Sequence, residues 1–127
     1  MPIHHSLWTV SDQPVEVPAS SMASELELEN MITAAPQILS REWMLIGRQE
    51  NTGLGGRVDL LALAPDGSVV LIELKRHRTP REVVAQAIDY ASWVEKLEAD
   101  DIAAIYRRFN PAGNLSSDFR DRFGQVL

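Results

Sequence analysis

The chain has 127 residues, of which 45% are hydrophobic and 24% are charged, with a formal net charge of -6 and no cysteine. This length suits one domain with a hydrophobic core, and the lack of cysteine excludes disulfides and thiolate zinc sites. No apolar run is long enough to span a membrane, so the sequence predicts a cytoplasmic protein without a membrane partner.

The first part of the chain predicts an arm followed by a helix. Residues 1–22 contain prolines and serines and read as an N-terminal arm. Ser24 and Glu27 have the spacing of a helix capping box, and Pro36 is expected to kink or split the helix that follows. Glu25 lies on the apolar stripe of that helix.

The middle of the chain predicts strands, and the remainder predicts helices. We expect a first strand at residues 43–47, a glycine-rich loop at 51–56, and a hairpin whose strands are residues 57–64 and 68–75. The predicted helices are residues 79–97, 102–109 with Asp100 or Asp101 as the cap, and 116–123.

Three charged residues interrupt the apolar strands of the hairpin: Asp59, Glu73 and Lys75. Charged side chains are rarely buried unless they are paired or bind a metal. They could be a surface ion pair and a loop residue, but apolar neighbours on both sides of each charge favour a functional site.

The turn between the strands determines whether the two acids meet. Pro65 suits the first corner of a type I turn and Gly67 suits the left-handed position after it, which predicts a three-residue hairpin loop. That loop pairs Asp59 with Glu73, whereas a two-residue loop would place them on opposite faces. Adjacent carboxylates repel, and Mg²⁺ is a cation that such a pair would bind.

At these residues the chain resembles the PD-(D/E)XK nuclease superfamily. The resemblance rests on Asp59, followed after fourteen positions by Glu73-Leu74-Lys75, with Val58 where members usually have proline. Glu25 resembles the acid that many members carry on the first core helix. Gln86 and Tyr90 resemble the Gln-x-x-x-Tyr element of the NucS-like and resolvase-like branches, of which the NucS-like branch is most similar.

The resemblance implies an α/β, restriction-endonuclease-like fold. It has a mixed central sheet, a β-hairpin that carries the site, and helices on both faces. The nuclease core is expected at residues 23–99. Residues 100–127 are expected to form a helical extension, so no segment is assigned to the fourth core strand. The chain would then be cut from a longer protein with a further C-terminal domain, or complete its sheet with another chain.

The resemblance also implies roles for individual residues. Mg²⁺, for which Mn²⁺ can substitute, would be held by Asp59, Glu73 and the Leu74 carbonyl, with Glu25 reaching a second metal or a water. Lys75 would orient or deprotonate the attacking water, or stabilise charge on the phosphate. Gln86 and Tyr90 would position the lysine, a water or a phosphate, although Tyr90 could equally pack in the core.

Basic residues near the motif are candidate contacts to DNA phosphates: Arg57, Arg76, Arg78 and Arg81. Alternatively Arg57 is an ion-pair partner of Asp59, and the other three form a solvated basic loop.

These inferences predict a Mg²⁺-dependent DNA endonuclease, of a branch associated with DNA repair. The alternatives are a catalytically weak module of the same fold that binds nucleic acid or a partner protein, and an interaction domain whose nuclease activity needs missing C-terminal sequence. A homodimer would supply the two sites that duplex cleavage needs.

Overall fold

The computed structural model describes residues 5–19, 24–53, 55–75 and 80–127, except for the side chains of Pro80 and Val83. The elements in chain order are β1 (Leu7–Trp8), β2 (Glu16–Val17), α1 (Glu25–Ala34), a 3₁₀-helix (Pro36–Ile38), β3 (Met44–Asn51), β4 (Arg57–Leu63), β5 (Val69–Ile72), α2 (Pro80–Glu95), α3 (Ala99–Phe109) and α4 (Leu115–Phe123). None of the helices in these ranges is long and apolar enough to cross a membrane.

The N-terminal part forms a small hairpin and then a capped helix. Strands β1 and β2 pair antiparallel, and both are exposed. The Ser24 hydroxyl accepts a hydrogen bond from the Glu27 N–H at 3.1 Å, which confirms the predicted cap. The split predicted at Pro36 is also present, because α1 ends at Ala34 and a 3₁₀-helix begins at the proline.

The central sheet has the strand order β3-β4-β5. Every pair in it is antiparallel, so the described strands do not form the mixed sheet that we expected. A parallel strand would have to be reached through a crossover connection. Residues 80–127 form helices and turns and contain no strand. The prediction that the C-terminal part is helical is confirmed.

Strand β4 is buried on both faces, as its apolar sequence predicted. On one face Leu60 and Ala62 pack with Ile32 of α1. On the other face Leu61 and Leu63 pack with residues of α2, α3 and α4: Tyr90, Ile105, Tyr106, Leu115 and Phe119. Helices therefore cover both faces of the sheet, and the α/β fold class is confirmed.

Three predicted boundaries were wrong. Strand β5 ends at Ile72 instead of Lys75, because hydrogen bonds from backbone N–H groups to the Glu73 and Asp59 carboxylates replace the ladder beyond it. Strand β3 continues to Asn51 instead of ending at Gly47, because the polar residues after Gly47 still pair with β4. Helix α3 begins at Ala99 with Glu98 as its N-cap residue, so neither aspartate is the cap. The Glu98 N–H instead donates to the Asp101 carboxylate at 2.9 Å, as the third residue of a capping box does.

Candidate active site

The turn of the β4–β5 hairpin sets the register that the sequence predicted. The Ala64 N–H donates to the Ser68 carbonyl at 2.9 Å, and the Gly67 N–H donates to the Ala64 carbonyl at 2.9 Å. Gly67 has a φ of 85°, the left-handed conformation that this loop requires. The ladder then runs from Leu63 opposite Val69 to Leu60 opposite Ile72.

One step beyond that ladder, Asp59 and Glu73 meet at the open end of the hairpin. The Asp59 N–H donates to Glu73 Oε1 at 3.1 Å, and the Leu74 N–H donates to Asp59 Oδ2 at 2.8 Å. Each carboxylate thus accepts a hydrogen bond from a backbone N–H of the opposite segment. These bonds take the place of the backbone–backbone hydrogen bonds of a regular ladder. The predicted juxtaposition of the two carboxylates is confirmed.

The electrostatics of this pair favour a cation. Burial raises the pKa of the Glu73 carboxyl, and the neighbouring Asp59 charge raises it further, against the hydrogen bond from the Asp59 N–H and the charge of Lys75. Lys75 Nζ lies 3.8 Å from Glu73 Oε2, with 35% of its side chain exposed against 9% for Glu73. In the described part of the hairpin, one partly exposed ammonium therefore accompanies two adjacent carboxylates.

Gln86 and Tyr90 lie on the same side of α2 and contact each other. Gln86 Nε2 donates to the Tyr90 hydroxyl at 2.8 Å. Tyr90 is only 4% exposed and belongs to the core. Burial, followed by the charge of Glu73, raises the pKa of its hydroxyl. Tyr90 therefore both packs in the core and lies close enough to the site to sense its charge.

An open cleft of about 700 Å³ lies between α2 and the glycine-rich loop. Its lining includes Lys75, Gln86 and Tyr90, together with Gly55 and Gly56. A β-carbon on Gly56 would lie 2.9 Å from the Tyr90 ring, so this glycine is needed for close packing. The cleft places the lysine, the glutamine and the tyrosine along one solvent-accessible surface.

Glu29 of α1, which the sequence analysis missed, contacts strand β3 beside the site. Glu25 begins the helix and its side chain is exposed, whereas Glu29 is 4% exposed. Arg48 Nε donates to Glu29 Oε1 at 2.6 Å, and Gln49 Nε2 donates to Glu29 Oε2 at 2.9 Å. Glu29 precedes the fully buried Ile32 by three residues, but Glu25 also has helical spacing to Ile32, so the sequence pattern did not distinguish the two acids.

A second buried glutamate, Glu50, lies on β3 and pairs with α3. Arg108 donates from Nε to Oε1 at 3.2 Å and from Nη2 to Oε2 at 2.8 Å. The pairing is bidentate, and it raises the pKa of the Arg108 guanidinium through the hydrogen bond to Glu50.

The candidate DNA-contacting arginines are only partly within the described ranges. Arg57 and Arg81 are exposed, while Arg76 and Arg78 lie outside the described residues. The alternative of an Arg57–Asp59 ion pair is not found among the ion pairs of the described residues. Asp59 instead accepts hydrogen bonds from the Leu74 N–H and from Gln49 Nε2, the latter at 3.2 Å.

The donor set at the open end of the hairpin fits Mg²⁺. Both carboxylates are hard oxygen donors, and Mg²⁺ is commonly held by one or two carboxylates with water and phosphate completing its octahedron. Within the described part of the chain, no three acidic or histidine side chains form a metal-binding group by themselves. An ion at Asp59 and Glu73 would therefore need further ligands besides the acidic and histidine side chains of the described residues.

Two comparisons with known proteins bear on this arrangement. Residues 24–117 match the family model described as "Endonuclease NucS C-terminal domain". The fold is also similar to the crystal structure of a repair endonuclease from Pyrococcus abyssi, with a TM-score of 0.51 and 26% sequence identity. That match covers 65% of this chain and 36% of the Pyrococcus chain, so this chain corresponds to about a third of that protein's length.

Proposed function

Because the chain belongs to the endonuclease NucS C-terminal domain family, we propose that it is the catalytic domain of a Mg²⁺-dependent DNA endonuclease of the PD-(D/E)XK type. The observation that carries the proposal is the pairing of Asp59 with Glu73, with Lys75 Nζ 3.8 Å from the Glu73 carboxylate. The similarity to a repair endonuclease supports DNA as the substrate and repair as the context.

In this proposal the hairpin residues perform the chemistry. Asp59, Glu73 and the Leu74 carbonyl would hold Mg²⁺, which when bound supplies Lewis-acid polarisation of the scissile phosphate and makes water more acidic. Lys75 lies next to Glu73 and is partly exposed, so its ammonium can orient the attacking water or stabilise charge on the phosphate.

The surrounding residues would position the substrate. Gln86 donates to the Tyr90 hydroxyl, and both residues line the same cleft as Lys75, which supports a role in positioning the substrate or a water. Arg57 and Arg81 are exposed and available to DNA phosphates. Arg76 and Arg78 keep the same predicted role. The contribution that we assigned to Glu25 is better supplied by Glu29, because Glu29 is connected to Asp59 through Gln49.

The test is cleavage of labelled DNA by the purified chain. The chain is incubated with mismatched, flapped, branched and single-stranded DNA, and with RNA of the same sequence. Each substrate is tested in Mg²⁺, in Mn²⁺ and in EDTA. We expect metal-dependent cleavage of at least one DNA, reduced about 10³-fold or more by Asp59→Asn and by Lys75→Ala, which corresponds to about 4 kcal/mol of transition-state stabilisation.

The matched control is Asp66→Asn, since Asp66 is a carboxylate at the opposite end of the same hairpin. It accepts a hydrogen bond from the Ser68 N–H, and its replacement should leave cleavage unchanged. Binding without cleavage on every substrate would favour the alternative of a catalytically weak nucleic-acid-binding module. Light scattering with and without DNA tests the proposed homodimer.

A further inference from the structure

Gln49 connects the acid of α1 to the acid of the hairpin. Its Nε2 donates to Glu29 Oε2 at 2.9 Å and to Asp59 Oδ1 at 3.2 Å. In the β3–β4 ladder, Arg48 pairs with Leu60 and Glu50 pairs with Val58, so Gln49 and Asp59 both lie between these two pairs. Strand register therefore brings this amide to the carboxylate proposed to bind metal.

The backbone of Gln49 adopts an unusual conformation. Its φ is 51°, and no other non-glycine residue in the described ranges has a positive φ. Such a conformation is unfavourable for a residue with a β-carbon and occurs preferentially at functional sites. Since Gln49 is exposed, burial of its side chain does not explain why the conformation is kept.

The unusual conformation has a clear geometric consequence. Successive side chains of a regular strand point to opposite faces of the sheet. Arg48 and Gln49 are successive, yet both donate to the carboxylate of Glu29. The local departure from strand geometry allows Gln49 to reach Glu29 and Asp59 from the same side.

The chemistry of the position favours an amide. Ionised carboxylates only accept hydrogen bonds, and the amide group of glutamine has two N–H donors, which matches the two acceptors. A glutamate would add a third negative charge without a donor. A lysine or arginine would neutralise the negative charge that attracts a metal ion. Glutamine donates to both acids without changing their charge.

We propose that Gln49 is a positioning residue that fixes the Asp59 carboxylate for metal binding and couples helix α1 to the site. This role rests on the proposed function. The Leu74 N–H holds Oδ2 of Asp59 and Gln49 holds Oδ1, so the carboxylate is fixed from both sides. Groups that orient metal ligands in this way typically change metal affinity or activity 10–100-fold when they are removed.

The test uses two variants of the full 127-residue chain with different consequences for the backbone. Gln49→Gly removes the bridge and suits the positive φ, whereas Gln49→Met keeps a similar length and a neutral side chain but removes the donors. Binding of Mn²⁺ alone is measured by electron paramagnetic resonance, the Tm is measured in EDTA, and cleavage is measured over a range of Mn²⁺ concentrations.

We expect Mn²⁺ affinity to fall about 10-fold or more in both variants, since each removes the amide donors without changing the charge of the site. For Gln49→Gly the Tm in EDTA should stay close to that of the wild type, and cleavage should be largely restored at saturating Mn²⁺. Equal Mn²⁺ affinity in the wild type and both variants would overturn the role of Gln49 alone, as would retained affinity in Gln49→Met with a lowered Tm in Gln49→Gly. A wild type that neither binds Mn²⁺ nor cleaves DNA would overturn the proposed function as well.

Discussion

Two buried glutamates lie at strand β3: Glu29 of α1 contacts the strand, and Glu50 belongs to it. The two regions differ in the hydrogen-bond donors that the carboxylates have. Glu29 of α1 is 4% exposed and Glu50 of β3 itself is 9% exposed. Both acids have an arginine partner, Arg48 for Glu29 and Arg108 for Glu50. Burial and pairing alone therefore do not distinguish a functional carboxylate from a structural one.

The difference lies in where the second carboxylate oxygen is directed. Both oxygens of Glu50 accept hydrogen bonds from the single guanidinium of Arg108, which closes the pair. One oxygen of Glu29 instead accepts from Gln49, which also donates to Asp59. The Glu50 region is a charge-balanced link between β3 and α3, whereas the Glu29 region is connected to further acids that a cation would stabilise.

Replacing the two glutamates separately provides the largest expected contrast. Glu29→Gln should lower cleavage about 10–100-fold, because Gln49 loses a charged acceptor that holds it beside Asp59. Glu50→Gln should lower the Tm and leave cleavage per folded molecule within about threefold, which is under 1 kcal/mol. Single-turnover cleavage and thermal unfolding check both. Similar losses of cleavage in the two variants would remove the distinction between the regions.

Two glycines allow the same comparison through packing. A β-carbon on Gly47 would lie 2.8 Å from Ile105 Cγ2, and one on Gly56 would lie 2.9 Å from Tyr90 Cε1. Gly47→Ala should destabilise the fold by about 1–3 kcal/mol through overpacking against α3. Gly56→Ala should displace the Tyr90 ring and lower cleavage more than stability. Denaturant unfolding and cleavage at saturating metal measure the two effects.

The comparison would fail if Gly47→Ala lowered cleavage per folded molecule as much as Gly56→Ala. That result would mean that packing against α3 controls the site as strongly as the Tyr90 contact does.

Glu73→Gln should make the metal-free chain more stable at neutral pH. Burial, and then Asp59, raise the pKa of Glu73 in the folded state, so its contribution to stability is present below the unfolded pKa and is lost as the pH rises through the folded pKa. Glutamine keeps the acceptor for the Asp59 N–H without the charge. The Tm in EDTA should therefore be higher for the variant at pH 7, with the difference vanishing at low pH.

Added Mn²⁺ should reverse this order, because the ion stabilises only a chain that binds it. A wild type that is more stable than Glu73→Gln in EDTA at pH 7 would contradict the argument that these carboxylates are held together against repulsion.

The sequence predicted the hairpin well because local turn chemistry determines its register. Pro65 and Gly67 specified a three-residue loop, and that loop fixed the pairing of Asp59 with Glu73 several residues away. The split at Pro36 was predictable for the same reason, since a proline restricts the backbone wherever it occurs.

The network around Glu29 was not predicted because it depends on tertiary contacts. Glu25 and Glu29 are one helical turn apart, and both have helical spacing to Ile32, so only packing of α1 on the sheet determines which is buried. Glycine signals a positive φ in a sequence, but glutamine does not. The backbone conformation of Gln49 and its contacts with Glu29 and Asp59 therefore could not be predicted. The predicted strand therefore ended at Gly47, before the polar residues 48–50.

The smallest expected effect concerns the arginine partners of the two glutamates. Arg108 has 60% of its side chain exposed, so Arg108→Gln should cost about 0.5–1 kcal/mol, because water can replace much of the interaction. The difference from the wild type should shrink at high salt, and Mn²⁺ affinity should not change.

Arg48→Gln makes the same substitution beside Glu29 and should alter Mn²⁺ affinity, since that carboxylate is linked to Asp59 through Gln49. Unfolding in low and high salt, together with Mn²⁺ titration, measures both variants. An Arg108→Gln variant with changed Mn²⁺ affinity would show that charge at Glu50 also reaches the site and that the two regions are not independent.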